Sequence, residues 1–189
     1  MCQQSDKERS PETIQHIGEN DITETIVEKM KGFFGDDRRR INHALDVLDR
    51  ARAICKSELR DDPGLVRVAL LAAVLHDVGI KPAEALYGSS APVYQHREGP
   101  PIAERILTGA GVEKEVVDRV CYIIGNHHHK SKIDGRDFQV LWEADLIVNM
   151  PDLAIIRNGN YDRYKKMVLN NFRTMAGVQM ALGLWNPTP

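Results

Sequence analysis

The sequence is poor in cysteine, in long apolar stretches and in net charge. Its three cysteines, Cys2, Cys55 and Cys121, are widely spaced and form no CxxC pair, so we expect neither a disulfide framework nor a cysteine zinc site. The longest nearly unbroken apolar run is Val68–Leu75, far below the roughly 20 residues that a membrane-spanning helix needs. A net charge of −2 creates no field that attracts nucleic acid. We therefore expect neither a membrane nor a nucleic-acid polymer as a partner.

The first ten residues are polar and lack the apolar segment of a signal peptide. Together with the unpaired cysteines, this predicts a cytoplasmic protein. The length of 189 residues and the 42% of hydrophobic residues fit one domain with its own core and short appendages.

Strand signals are also missing, because no segment of four or more residues alternates cleanly between apolar and polar side chains. Apolar residues instead recur at helical spacing, which predicts an all-α fold. Start and stop signals such as Asp62-Pro63 and Gly35 define the ends of the predicted helices. These helices are a short one from Pro11 that ends at Gly18, then Ile22–Phe34, Arg38–Glu58, Leu65–Asp77, Ile102–Leu107, Val112–Asn126, Phe138–Asn149, a weaker one near Asp152–Arg157, and one or two over Tyr161–Leu184.

Residues 79–101 have a different composition. Gly79 follows the most apolar helix, and clusters of glycine, serine and proline occupy Gly88–Pro92 and Gly99–Pro101. These residues are typical of turns and loops. We therefore predict a long irregular loop with at most a helical turn around Pro82–Tyr87, and long loops in compact domains often carry function.

Several ligand-type side chains stand where an ordinary helical protein would place apolar ones. The apolar helix 65–77 ends in His-Asp, and Asp145 interrupts an apolar stripe. Burying such groups is costly unless they are compensated, and helical bundles build metal sites from side chains on facing helices. Imidazole and carboxylate ligands suit Fe, Mn, Ni, Co or Zn. The full set of candidate ligands is His43, His76, Asp77, His96, His127 or His128, and Asp145.

Each of these residues has an ordinary explanation when it is taken alone. His43 could be a hydrogen-bonded core histidine, and Asp145 could pair with an arginine. The His76-Asp77 doublet could serve as a helix-terminal cation with a cap residue. Because all of these explanations would have to hold at once in one small domain, the combination favours a metal site.

The order His43, His76-Asp77, Asp145 resembles the HD-domain superfamily of metal-dependent phosphohydrolases. The apolar run into His-Asp-Val-Gly-Ile is the most specific part of the resemblance. The segments around His96 and around His127 are similar to the family's further histidine motifs. The resemblance implies an all-α helical bundle with an HD-domain core over residues 38–150, an N-terminal helical extension over 1–37, and a C-terminal extension over 151–189 that packs on the core.

Subfamilies with the additional histidines bind two metals, so the resemblance implies a dinuclear centre. Carried over by position, His43, His76, Asp77 and Asp145 hold the first ion. Asp77 bridges to the second ion, which His96 and His127 complete; His128 remains the alternative to His127. The expected ions are divalent transition metals, namely Fe, Mn, Ni or Co, with Zn and Mg also allowed.

The same resemblance suggests roles for residues beside the ligands. Asp77 would be catalytic through the metals, Glu98 could transfer protons, and Asn149 could orient Asp145. The cations next to the ligand motifs are candidates for phosphate binding, namely Lys81, Arg97 and Lys130. The implied substrate is a small phosphorylated molecule, and nucleotides are a common choice in such proteins.

Two departures from the family narrow the function. The sequence has no Gly-Tyr-Pro motif, and Lys81 lies four residues after Asp77 rather than three, which disfavours cyclic-dinucleotide hydrolysis. The length leaves no room for the further domains of the guanine-nucleotide synthetase relatives.

Two other functions use the same ligands. A small branch of HD proteins are mixed-valent di-iron oxygenases with four histidines and two aspartates as ligands. An HD domain could also serve as a non-catalytic, metal-binding regulatory module, although the complete ligand set argues against that.

Overall fold

The computed structural model describes residues 11–150 and 160–185, with side chains from Ile22 onward. The described residues form helices and turns without a β-strand, so the all-α prediction is confirmed. A short 3₁₀ turn, Lys130–Lys132, precedes the helix that begins at Arg136. The helices are α1 Pro11–Phe34, α2 Arg38–Glu58, α3 Pro63–Leu75, α4 Ile80–Tyr87, α5 Pro92–Thr108, α6 Lys114–Ile124, α7 Arg136–Asn149, α8 Tyr161–Asn171 and α9 Met175–Gly183.

Helices α2 and α3 begin where side-chain caps are available. An Asp37 carboxylate oxygen accepts a hydrogen bond from the Arg40 backbone N–H at 3.1 Å, and Asp62 accepts one from the Leu65 N–H at 3.1 Å. Pro63 occupies the first turn of α3, where its missing N–H costs nothing. The predicted bounds of α2 are therefore confirmed, and α3 begins two residues earlier than predicted.

Helix α3 forms the centre of the molecule. Seven of its thirteen residues are buried, and it packs against α1, α2, α6 and α7. The segment Pro63–Tyr87, which combines α3 and α4, is the only described stretch that is long and apolar enough to cross a membrane, and more than half of its most apolar 18-residue window is buried inside the protein. Buried core helices of soluble proteins pass the same test, so the finding is weak evidence for a membrane span.

The predicted loop over residues 79–101 is wrong. Residues 80–87 form α4, and α5 begins at Pro92 and runs through Pro100 and Pro101 to Thr108. These prolines remove N–H donors, but buried residues on either side of them, including Gly99 and Ile102, pack α5 against α6. The predicted helix over 102–107 is thus only the last part of α5.

Gly79 lies in the turn between α3 and α4 and does not adopt a left-handed conformation. Its φ of −69° is ordinary helical backbone. A Cβ atom at this position would lie 2.5 Å from the Gln95 carbonyl oxygen and 2.9 Å from the Gly99 nitrogen. Gly79 is therefore needed because α5 crosses closely here, which brings His96 towards the end of α3.

Other predictions of helix ends differ in smaller ways. Gly18 does not end the first helix, since α1 is continuous, and one internal glycine costs a helix only about 1 kcal/mol. Of the one or two helices expected over 161–184, the structure has two, and the fully buried Glu143 carboxylate accepts the backbone N–H groups of Arg173 and Thr174 at the break. The helix predicted near 152–157 lies outside the described residues.

Candidate metal centre

Three helices bring the first ligand group together, which consists of His43, His76, Asp77 and Asp145. Helix α2 carries His43, α7 carries Asp145, and the other two residues follow α3. The Nε2 atoms of His43 and His76 are 3.2 Å apart. Asp145 Oδ1 lies 3.2 Å from the first of these nitrogens and 3.7 Å from the second. The ligand atoms of this group therefore surround one common point.

Hydrogen bonds fix the orientation of two imidazoles. His76 Nδ1 donates to the Ala73 carbonyl oxygen at 2.9 Å, and His127 Nδ1 donates to that of Ile124 at 2.7 Å. A carbonyl oxygen can only accept, so in each ring Nδ1 carries a proton and Nε2 is the nitrogen that is available as a metal ligand. Histidines that bind metals commonly use this arrangement.

The second ligand group consists of His96, His127 and His128. His96 lies on α5, and the other two follow α6. One potential ligand nitrogen from each lies within 4.8 Å of the others, and His96 Nε2 is 3.1 Å from His128 Nδ1. His127 is buried and its Nε2 has no hydrogen-bond partner. His128 is more exposed, so the structure brings both candidate histidines to this group.

Asp77 lies between the two groups. Its Oδ2 is 3.6 Å from His43 Nε2 and 3.4 Å from His76 Nε2. Its Oδ1 is 3.7 Å from His127 Nε2. Each carboxylate oxygen thus faces a different ligand group, which is the arrangement that a bridging ligand requires.

The charges of the two groups differ. Burial works against the protonated form of His76, but the carboxylates of Asp77 and Asp145 outweigh burial and raise the pKa of His76 to about 9. Burial alone would raise the pKa of Asp77, yet His76 and His127 hold it well below the usual range. In the second group, burial and the neighbouring histidines lower the pKa of His96 and of His128 to about 4.

These features fit a metal centre better than a hydrogen-bonded cluster. Burying the Nε2 of His127 without a partner costs free energy unless a hydrogen-bond donor or a metal ion binds it. The facing nitrogens of His43 and His76 share at most one hydrogen bond, whereas a metal ion between them would engage both lone pairs. Histidine nitrogens and two carboxylates around the first group suit a divalent transition metal.

A cavity of about 400 Å³ opens onto the centre, and its lining includes His43, Asp77, His128 and Asp145. Such a volume is typical of small-molecule sites. Asn149 Nδ2 donates to Asp145 Oδ1 at 2.8 Å, which is the contact expected of an orienting residue. The remaining lining residues are Arg39, Arg40, Ile80, Gln95 and Asn149.

The structure does not bring the other predicted residues to this cavity. The Lys81 amine donates to the Phe33 carbonyl oxygen at 2.8 Å, and Lys130 lines a separate cleft. Arg97 is largely exposed beside Glu98, and the Glu98 carboxylate accepts the Tyr87 hydroxyl at 2.8 Å. Their proposed roles in phosphate binding and proton transfer therefore have no support from contacts with the cavity.

The sequence reasoning missed the two arginines of the cavity. Arg40 Nη2 pairs with Glu84 at 2.7 Å, and the guanidinium also contacts Asp37. Arg39 is exposed and forms no salt bridge within the described part of the chain. Both precede His43 by about one helical turn, so helical spacing on α2 was the signal that could have identified them.

The fold and the site together are typical of helical domains that bind metals, because histidines and aspartates from several helices meet at one site in an all-α core. Residues 40–162, more than half of the chain, match the family described as HD domain. The chain belongs to the HD domain family.

The fold is also similar to a solved structure. The crystal structure of a predicted HD superfamily hydrolase from an uncultured Thermotogales bacterium aligns with a TM-score of 0.58 and 23% identity, covering 88% of this chain and 84% of that chain. At this identity the likeness shows the fold alone. No curated protein matches the chain.

Proposed function

We propose that the protein is a metal-dependent phosphohydrolase that acts on a small phosphorylated substrate through a dinuclear His/Asp centre. The main support for the proposal is the position of Asp77. Its Oδ2 lies 3.4 to 3.6 Å from histidine nitrogens of the first group, and its Oδ1 lies 3.7 Å from His127 Nε2 of the second group. Membership of the HD domain family agrees with a hydrolase, as does the similar fold of the predicted hydrolase from the Thermotogales bacterium. We propose a cytoplasmic location on the grounds of the sparse cysteines.

The residues of the centre have distinct parts in this proposal. His43, His76 and Asp145 would hold one ion, His96 and His127 or His128 would hold the other, and Asp77 would contribute a carboxylate oxygen to each. Two bound cations would polarise a phosphoryl oxygen and lower the pKa of a water molecule. Asn149 keeps the Asp145 carboxylate in position through its 2.8 Å hydrogen bond.

The cavity indicates how a substrate would bind. The guanidinium of Arg39 forms no salt bridge among the described residues, and such a group pairs well with a phosphate. Arg40 is held by Asp37 and Glu84, so it contributes less uncompensated charge. The volume of about 400 Å³ suits a small molecule such as a nucleotide.

The test is a panel of phosphorylated small molecules assayed with protein loaded with Fe, Mn, Ni, Co, Zn or Mg. We expect release of inorganic phosphate from at least one compound, and loss of that activity in Asp145→Asn. Anaerobically purified, iron-loaded protein is then exposed to oxygen with the same compounds. Oxygen consumption without phosphate release would overturn the hydrolase proposal in favour of the di-iron oxygenase.

Elemental analysis separates both enzymes from a regulatory module. We expect about two transition-metal ions per chain after purification without chelators. A metal content below one ion per chain, with no activity in either assay, would overturn both enzyme proposals and favour a non-catalytic regulatory module.

A further inference from the structure

A second cleft lies where the turn after α6, the start of α7 and the α8–α9 corner meet. Its volume is about 440 Å³, and its lining includes Lys130, Arg136 and Arg173. Gln139 and Asn171 add side-chain amides. The residues that line it share none with the cavity at the metal centre. The cleft is thus a distinct, cation-rich surface.

The three cations of this cleft bind only neutral groups among the described residues. Lys130 and Arg173 donate to main-chain carbonyls at the end of α8, and Arg136 donates to one at the end of α2. Carbonyls at helix C-termini carry only partial negative charge. By contrast, Arg119 pairs with two carboxylates. The positive charges of Lys130, Arg136 and Arg173 are therefore only partly neutralised by their described contacts.

The acidic residues around the cleft are committed elsewhere. Arg119 binds Asp134 at 2.8 Å and Asp137 at 2.7 Å. The buried Glu143 carboxylate accepts backbone N–H groups of the α8–α9 corner, and Glu58 Oε1 accepts the N–H of the second residue of α9 at 3.0 Å. None of these carboxylates forms a described salt bridge with a cation of the cleft.

We propose that this cleft binds a small polyanion that carries two or more phosphate groups. Two guanidinium groups and an ammonium group supply the charge-assisted donors that phosphate oxygens accept. Each cation is already held at one donor by a carbonyl, so the side chains are partly ordered before the ligand arrives, which lowers the entropic cost of binding. The site is independent of the metals and of the proposed hydrolase activity.

The probe is methylenediphosphonate, whose P–C–P linkage a phosphohydrolase cannot cleave, titrated into metal-loaded protein by calorimetry. The test variant is the double substitution Arg136→Gln and Arg173→Gln, since glutamine can still donate to the carbonyls while it removes the charge. The matched control is Lys165→Gln with Lys166→Gln, two exposed cations of α8 outside the cleft. Thermal melts verify that all variants fold.

We expect the double arginine variant to lose about tenfold or more in affinity at one site, and the lysine variant to lose less than about twofold. The same site should persist after the metals are removed with a chelator and the chelator is removed by buffer exchange. Inorganic phosphate should bind it at least about tenfold more weakly than the diphosphonate does. Equal affinity in the wild type and the arginine variant, or binding that disappears with the metals, would overturn the proposal.

Discussion

The two ligand groups of the candidate metal centre differ in charge, burial and origin. The first group combines two carboxylates with His43 and the fully buried His76, and it comes from the long helices α2 and α7 and the end of α3. The second group consists of histidines from α5 and the turn after α6, and His128 is exposed. Asp77 is the only carboxylate that faces both groups among the described residues.

This difference suggests how a helical core could hold two metal ions without burying uncompensated charge. With a divalent cation bound, two carboxylates would leave the first group near neutrality. The second group would place imidazoles around another cation, which solvent would reach more easily because His128 is exposed. Burying a charge requires compensation, so we expect the first ion to be bound more tightly than the second.

The substitution Asp77→Ala should have the largest effect, because it removes the one ligand that the two groups share. We expect metal content to fall from about two ions per chain to below one, with loss of any phosphatase activity. Plasma mass spectrometry of the purified protein measures the metals. Asp49→Ala, an exposed carboxylate on the same helix α2 as His43, is the control and should keep both ions. If activity survived in Asp77→Ala, the proposed centre would be wrong.

Substituting His127 and His128 one at a time should have smaller effects on metal content. His127 is buried with an unpartnered Nε2 that lies 3.7 Å from Asp77, whereas His128 is exposed. His127→Ala should therefore lose about one ion per chain and retain the first. His128→Ala should retain both ions at saturation with weaker binding of the second. Metal titration against a competing chelator measures each step, and the reverse ranking would make His128 the main ligand.

The first ligand group was easier to predict from the sequence than its surroundings were. His76 and Asp77 follow an apolar run, and Asp145 interrupts an apolar stripe, so each contradicts a simple local rule. The structure brings these side chains together, as expected. Helix starts with side-chain caps, such as Asp37 before α2 and Asp62 before α3, were also predictable because capping depends on neighbouring residues.

The region from 79 to 101 was mispredicted for a physical reason. Glycine and proline are rare inside helices because of local costs, but Gly79 and Gly99 are required by close contact between distant segments. The buried carboxylate of Glu143 gave no local signal of its role at the α8–α9 corner, since its partners Arg173 and Thr174 lie about thirty residues away in the chain. Such features depend on tertiary contacts that a single sequence does not reveal.

The pH dependence of metal binding should also distinguish the groups. The pKa of His76 is about 9 without metal, so an ion entering the first group must displace a proton at neutral pH. Affinity there should rise by up to about tenfold per pH unit between roughly pH 6 and pH 9. The pKa values of His96 and His128 are about 4, so neither competes with metal above about pH 5. Calorimetry in buffers with different ionisation enthalpies counts the released protons, and equal release from both groups would contradict the comparison.

The smallest effect concerns the contact that holds the two groups together. In Gly79→Ala, the new Cβ would meet α5 backbone at 2.5 Å and 2.9 Å, which should push His96 away from Asp77. We expect a loss of about 1–3 kcal/mol in the free energy of unfolding and weaker binding of the second ion, with the first ion unaffected.

Gly32→Ala is the matched control for that substitution, because nothing lies within 4 Å of a Cβ at this position of α1. It should leave stability unchanged or raise it by up to about 1 kcal/mol, since alanine favours the helix. Chemical denaturation measures both variants, and metal titration follows the second ion. If Gly79→Ala weakened the binding of both ions equally, this would contradict the prediction. The contact between Gly79 and α5 would then support the whole centre rather than the junction between its two ligand groups.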